Sequence, residues 1–343
     1  MTPKQVVLET LKGGRPGRCP VALMAGGAWS ARHIGCTLRD AAKTPETMSS
    51  MLTDIATTIK SDIVYAGSGY TSIHPASVCG IEPVWRGVGA LDISDCVIKS
   101  EEDFAKLDPS FVDRHPLTNL IKQAYKLTRA KIGDQYLVTI TAWGPFTNGA
   151  RMIGEETFIK GIYKNPDYIE GVIDFAADML IHLFEPLVNE GGVEMILLGD
   201  PTASGDLISS KQFERFALPY LQRFTKWAKS KNVMTMIHIC GDTTDRLDLF
   251  PQTGAECISL DHKVNMIKAK EALHGAICFA GNLNPVEALM NGSINDVERE
   301  SRRLLETIGD DGGFILMPGC DIPPSVPLDN IKKMMEVGHA WKY

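Results

Sequence analysis

The run EMILLG (194–199), the helical pattern over 210–231 and the run MTMIHI (234–239) together decide the fold class. Two short β-rich runs separated by a longer segment of 3.6-residue periodicity form a parallel βα unit, because an antiparallel pair needs no such crossover. Outward from this unit the alternation continues. Further β-rich runs fall at 19–24 (CPVALM), 63–67 (IVYAG), 136–143 (YLVTITAW), 257–260 (CISL), 276–281 (AICFAG) and 314–318 (FILMP), and helical patterns at 167–190, 295–308 and 327–341. Eight strands interleaved with helices predict an α/β chain folded as a single (β/α)8 TIM barrel over 1–343. Two stretches break the alternation, 25–45 after the first run and 68–116 after the second, the latter rich in Gly, Pro and Ser. They read as long βα insertions over the C-terminal mouth, where barrel active sites lie.

Composition narrows the function classes. The 343 residues are 44% hydrophobic and 22% charged, with a formal net charge of −7 and no block of like charge, so a nucleic-acid partner is not expected. The N-terminus lacks the apolar run of a signal peptide and no later stretch reaches roughly 18 continuous apolar residues, so a cytoplasmic protein without a membrane segment is expected. Eight cysteines (19, 36, 79, 96, 240, 257, 278 and 320) are scattered without a disulfide framework, which points to reduced thiols, some of them metal ligands. No phosphate-binding loop or dinucleotide fingerprint is present.

His238-Ile239-Cys240-Gly241 ends the fifth expected strand, and alternation turns residues 238 and 240 to one side. Gly319-Cys320-Asp321 ends the eighth, on the same rim. Strands five and eight face each other across a barrel of this size, so one imidazole and two thiolates can converge. Three such ligands with one open position make a catalytic zinc pattern, whereas structural zinc is closed by four. The bland alternative is two buried cysteines and a hydrogen-bonded core histidine. Strand-end placement and the glycine beside each cysteine favour the metal.

Other rim residues carry two readings each. Asp200 is read as a substrate-contacting or ligand-orienting group, against a helix cap; Asp261 as a group near the metal, either a fourth ligand or a histidine orienter, against a cap. Trp29, His74 and Asn282 are candidate substrate contacts, against an exposed loop histidine for His74 and a turn-shaping role for Asn282.

DPTASG (200–205), HICG (238–241), ISLD (258–261), GNLNP (281–285) and PGCDIPPSVPLDNIKKM (318–334) resemble the uroporphyrinogen decarboxylase superfamily over nearly the whole chain. Within it the chain is most similar to the methylcobamide:coenzyme M methyltransferases, whose zinc ligands fall here on His238, Cys240 and Cys320. The decarboxylase branch carries an arginine-bearing Met-Arg-Gln-Ala-Gly-Arg run, a Phe-Ser-Asp-Ile motif and a Gly-His-Gly; here these read MAGGAW (24–29), GSGY (67–70) and GCD (319–321). Both arginines and the aspartate are missing. The resemblance therefore implies Zn2+ and transfer of a methyl group from a methylated corrinoid (cobalamin) to a thiol, with the corrinoid brought by a small partner protein docking over 25–45 and 68–116. An acidic residue at the place of Asp261 belongs to the same resemblance. Methyl transfer from a methoxy or methylamine substrate onto the corrinoid protein is the alternative, with uroporphyrinogen decarboxylation behind it.

Overall fold

The computed structural model describes residues 1–93, 98–190 and 192–343; Cys96, one of the eight cysteines, lies outside the described residues. Seven parallel strands run in sequential order: β1 (Ile63–Ala66), β2 (Leu137–Trp143), β3 (Met195–Gly199), β4 (Met234–Ile239), β5 (Cys257–Leu260), β6 (Cys278–Leu283) and β7 (Phe314–Pro318). Each crossover contains a helix or a pair of short helical turns, among them Pro116–Ile132, Pro166–Asn189, Met266–Leu273 and Ile294–Ile308. The pattern over 210–231 divides into Ser210–Phe216 and Leu218–Ser230. Pro219 is the cause, since it can neither donate an amide to the preceding turn nor clear its carbonyl.

Nearly every strand residue is buried, as in a parallel sheet covered on both faces. One set of alternating positions, including Tyr65, Leu197, Met236, Cys257, Cys278 and Met317, packs in an inner cluster, while Val64, Leu198, Ile237, Ile258 and Leu316 pack against the helices. At the centre of the inner cluster the Tyr65 hydroxyl lies 4.0 Å from the sulfurs of both Met236 and Met317.

The expected first strand, 19–24, is corrected: it makes only one parallel bridge, Val21 to Leu316 of β7. The physical reason is that side chains stand where a ladder would be. Pro20 has no amide to donate. The amide of Val21 donates to Asp62 Oδ2 (2.9 Å) and that of Leu23 to Ser61 Oγ (3.2 Å). Three backbone bonds remain, the Ala22 amide to the Leu316 carbonyl and the Leu316 amide to the Pro20 carbonyl on the β7 side and the Asp62 amide to the Val21 carbonyl on the β1 side, so the segment lies between the two edge strands. Ala25 (φ 55°) and Gly26 (φ 80°) then turn it into helix Gly27–His33.

The two insertions hold short elements: Gly27–His33 and Leu38–Ala41 in the first, and Ile73–Cys79, Glu101–Phe104 and the turn Pro109–Asp113 in the second. Among the described residues no helix is long and apolar enough to cross a membrane, and none of the seven described cysteines is in a disulfide.

Asp62 is the seam between the sheet edges. Its side chain is fully buried, accepts two hydrogen bonds of 2.7 Å from Arg18, and lies 3.5 Å from His339 Nε2. Burial alone would raise its pKa; the Arg18 and His339 contacts hold it below the usual carboxylate range. Asp62→Ala leaves Arg18 largely buried without its counter-ion and should cost about 3–5 kcal/mol in a urea melt. An Arg18→Met/Asp62→Leu pair should recover part of this loss but not all, because the Val21 amide still lacks its acceptor. Equal melts for the single and double variants would rule out the ion pair as the seam.

Candidate metal centre

His238 is the fifth residue of β4, and Cys240 follows two positions later, so both side chains leave the strand end on the same side. Cys320 follows β7. The three meet: Cys240 Sγ lies 3.3 Å from His238 Nε2 and 3.5 Å from Cys320 Sγ, and all three donor atoms fall within 4.8 Å of one another. Two thiolates at 2.3 Å on a tetrahedral ion would be about 3.8 Å apart, so the spacing suits a metal. Among the described residues this is the group of metal-type donors that converges.

Neighbouring groups prepare the donors. His238 Nδ1 donates to the Ser259 carbonyl (3.2 Å), with Ser259 Oγ at 3.1 Å, which leaves the Nε2 lone pair facing the sulfurs. Ser259 is the register partner of His238 on β5. The two thiols differ: a hydrogen bond from Cys240 lowers Cys320 to about 4 against the effect of burial, with further help from His238, while the same contact and burial push Cys240 well up.

Gly319 makes the convergence sterically feasible. Its amide donates to the Leu283 carbonyl (2.8 Å), and any Cβ there would run into the backbone of His262, so only glycine lets the loops after β5 and β7 touch. Gly241, at φ 81°, likewise abuts Ser204.

The remaining sequence candidates do not join this group. Asp261 is buried, but its Oδ1 lies 2.9 Å from His262 Nδ1 and accepts the Lys263 amide (3.0 Å), so its carboxylate is outside the converging donors. Its charge still helps to raise His238 and Cys240. Asn282 donates to the carbonyls of Asp261 and Val264 (3.0 Å each) and thereby shapes the loop that carries Asp261. Trp29 is 1% exposed, and its indole N–H donates to the Val326 carbonyl (2.8 Å), tying the first insertion to the loop after Cys320. His74 lies in helix Ile73–Cys79, buried rather than exposed; burial and the nearby Lys122 lower it to about 3.

Asp200 directs Oδ1 to the amide of Thr147 (2.7 Å) at the start of helix Pro145–Ile153, while its own amide donates to the His238 carbonyl (2.7 Å). Its backbone thus touches β4 while its carboxylate turns to the helix.

Asp321 was not among the sequence candidates. It is exposed as a residue, and its carboxylate Oδ1 accepts the amides of Gly26 (2.7 Å) and Ile322 (2.9 Å). Its position directly after Cys320 was the available signal. Ser259 was also missed, and its signal was weaker: it stands two residues before Asp261 on the same face of a strand.

Residues 2–341 match the family described as uroporphyrinogen decarboxylase (URO-D). The chain belongs to the URO-D family. URO-D relatives include the methylcobamide:CoM methyltransferase MtbA of Methanosarcina mazei, 33% identical over 246 residues that cover 72% of this chain and 70% of the relative. The methylcobamide:CoM methyltransferase MtaA of Methanosarcina barkeri is 30% identical over 217 residues, 63% of this chain and 61% of the relative. The uroporphyrinogen decarboxylase of Citrifermentans bemidjiense is 27% identical over 225 residues, 64% of each chain. A solved methyltransferase from Methanosarcina mazei superposes with a TM-score of 0.86 at 25% identity, covering 98% of both chains.

In this URO-D chain Asp200 should leave a pH signature. Burial raises it to about 6, hydrogen bonds from Thr147 and Phe146 pull the other way, and Oδ2 is buried with no partner among the described residues. The folded state therefore binds the proton more tightly than an unfolded aspartate near 3.9. Its contribution to stability is full below about pH 4 and is lost as the pH rises through 6. Asp200→Asn, neutral throughout, should be more stable than the parent by about 1–3 kcal/mol at pH 7.5, with the gap closing toward pH 4. Denaturant melts at the two pH values check this; a gap independent of pH would assign Asp200 no buried proton.

Proposed function

We propose that this chain is a zinc-dependent methyltransferase that moves a methyl group from a methylated corrinoid, carried by a separate small protein, to a thiol acceptor of the coenzyme M type. The single observation that carries the reading is the convergence of His238, Cys240 and Cys320 at the ends of β4 and β7. The names of MtbA and MtaA support the donor and acceptor. Decarboxylation is disfavoured by the absent arginines at 24–29 and by the weaker likeness to named decarboxylases. A closed eight-stranded barrel, with residues 20–23 completing the ring between β7 and β1, is the architecture this reading uses; the bonds from that segment to both edges support it.

His238, Cys240 and Cys320 would hold the zinc, with Asp261 nearby as a carboxylate held by His262. Bound there, zinc would supply Lewis acidity that keeps an acceptor thiol in its thiolate form near neutral pH, whereas a free thiol near pKa 8.5 is mostly protonated. The chain's own residues do the rest. The Ser259 carbonyl fixes the imidazole tautomer, and Asp321 anchors the Cys320 loop to Gly26. In the transfer the sulfur lone pair forms the new carbon–sulfur bond. The cobalt–carbon bond pair stays with the corrinoid, and the thiol proton leaves to solvent. The partner would approach over the insertions 25–45 and 68–116.

Purified protein should contain about one zinc per chain and convert methylcobalamin plus a thiol into a methyl thioether. Cys240→Ala and Cys320→Ala should lose metal and turnover but keep a cooperative melt, because the ligands sit above a large independent core. A fully zinc-loaded Cys240→Ala/Cys320→Ala double variant, or turnover that survives chelation, would overturn the assignment.

A further inference from the structure

Cys240 is the first residue past β4 and Cys320 the second past β7, and their sulfurs lie 3.5 Å apart although the residues are 80 positions apart in sequence. Both cysteines are free thiols. A disulfide holds its sulfurs about 2.05 Å apart, so bonding these two asks for about 1.5 Å of approach. Both residues stand outside the β-ladder. Rotation about their Cα–Cβ bonds with a small shift of the two loops therefore suffices, and the strands keep their register.

Access separates this pair from the cysteines of the interior. Cys240 and Cys320 are partly exposed, whereas Cys19, Cys257 and Cys278 are buried. Cys257 and Cys278 are register partners on β5 and β6, but they belong to the inner cluster beneath the rim. A small oxidant in solution meets the rim pair first. Cys36 and Cys79, also partly exposed, lie in the two insertions.

We propose that Cys240 and Cys320 form a reversible disulfide when they hold no metal, so that the ratio of small thiols of the acceptor class to their disulfides decides whether the site can take up zinc. This names a regulation of the metal site described above and rests on that reading. The exchange balances. One protein sulfur attacks a small disulfide RSSR, forming a bond to SR and releasing one RSH; the other then displaces that SR, forming the Cys240–Cys320 bond and releasing a second RSH. The protein dithiol loses two electrons, RSSR gains them, and both thiol protons leave on the two RSH. Excess RSH runs the same steps backward. In the disulfide neither sulfur is a thiolate donor, and His238 alone is too few for a zinc site, which takes three or four protein donors. Sulfurs already engaged as metal ligands are withheld from the exchange. The acceptor thiol is thus both substrate and the reductant that keeps its own site competent.

The test frees the protein of metal with chelator and incubates it with 2-hydroxyethyl disulfide, the oxidised form of 2-mercaptoethanol. Peptide mass spectrometry without reductant should find Cys240 joined to Cys320 in the parent, in Cys36→Ser and in Cys79→Ser, and not in Cys240→Ser or Cys320→Ser. After removal of the reagent, the oxidised protein should take up about a tenth or less of the zinc bound by the reduced protein, and excess 2-mercaptoethanol should restore uptake. Zinc-loaded protein should form the link about tenfold more slowly or less. Because the link closes a long loop, the oxidised metal-free protein should also melt at a higher temperature than the reduced metal-free protein. Persistence of both thiols, mixed disulfides alone, a link that excess thiol does not reopen, equally fast linking of the zinc-loaded protein, or undiminished zinc uptake by the linked protein overturns the proposal; methylation of a thiol by the zinc-loaded enzyme then stands by itself. A reversible link that blocks zinc uptake, in a protein whose zinc-loaded form methylates no thiol, supports the switch and overturns the methyl-transfer reading.

Discussion

The contact between Cys240 and Cys320 sets the requirement that the rest of the molecule meets. Their strands, β4 and β7, are three positions apart in the sheet, and in a flat sheet three spacings would separate their ends by about 14 Å. A sulfur–sulfur distance of 3.5 Å demands that the sheet curl until those ends face each other. The curl depends on what happens at the two free edges. There the short segment around Val21 is held to β7 by backbone bonds and to the start of β1 by Asp62, so a buried carboxylate at the foot of the sheet underlies the geometry of thiols at its top.

The mouth is braced in the same non-local manner. Helix Gly27–His33 is joined to the Cys320 loop at two points, Asp321 to the Gly26 amide and Trp29 to the Val326 carbonyl. Gly319 brings that loop onto His262, and Asn282 clamps the turn that follows β5. Each brace acts on the loop that carries Cys320 or on the loop beside it, so Cys320 is held by elements it does not belong to.

Period-2 and period-3.6 patterns made most strands and long helices legible, and alternation put His238 and Cys240 on one side without any tertiary information. What stayed hidden depended on partners distant in the chain. Trp29 finds its acceptor 297 residues away, and nothing local distinguishes an indole that pins a loop from one that meets substrate. His74 reads as a loop residue in the sequence because its helix spans only seven residues, too short for periodicity to declare itself. The orientation of Asp261 is a side-chain rotation decided by its neighbour His262. CPVALM has the composition of a strand; the diversion of its Val21 and Leu23 amides from a ladder is set by two polar side chains, Asp62 and Ser61, 38 to 41 residues further on.

The inner cluster beneath His238, Cys240 and Cys320 has one further property. Met236 and Met317 face a single hydroxyl, that of Tyr65, and Cys257 and Cys278 are buried in the same interior. A thioether that gains an oxygen becomes a polar sulfoxide, and an enclosed apolar interior offers it almost nothing to bond with. Tyr65 has one proton to donate, enough for one sulfoxide and not for two. The vulnerability of this protein to peroxide therefore extends from the converging thiols of Cys240 and Cys320 down into its floor, where reducing those thiols would not undo the damage.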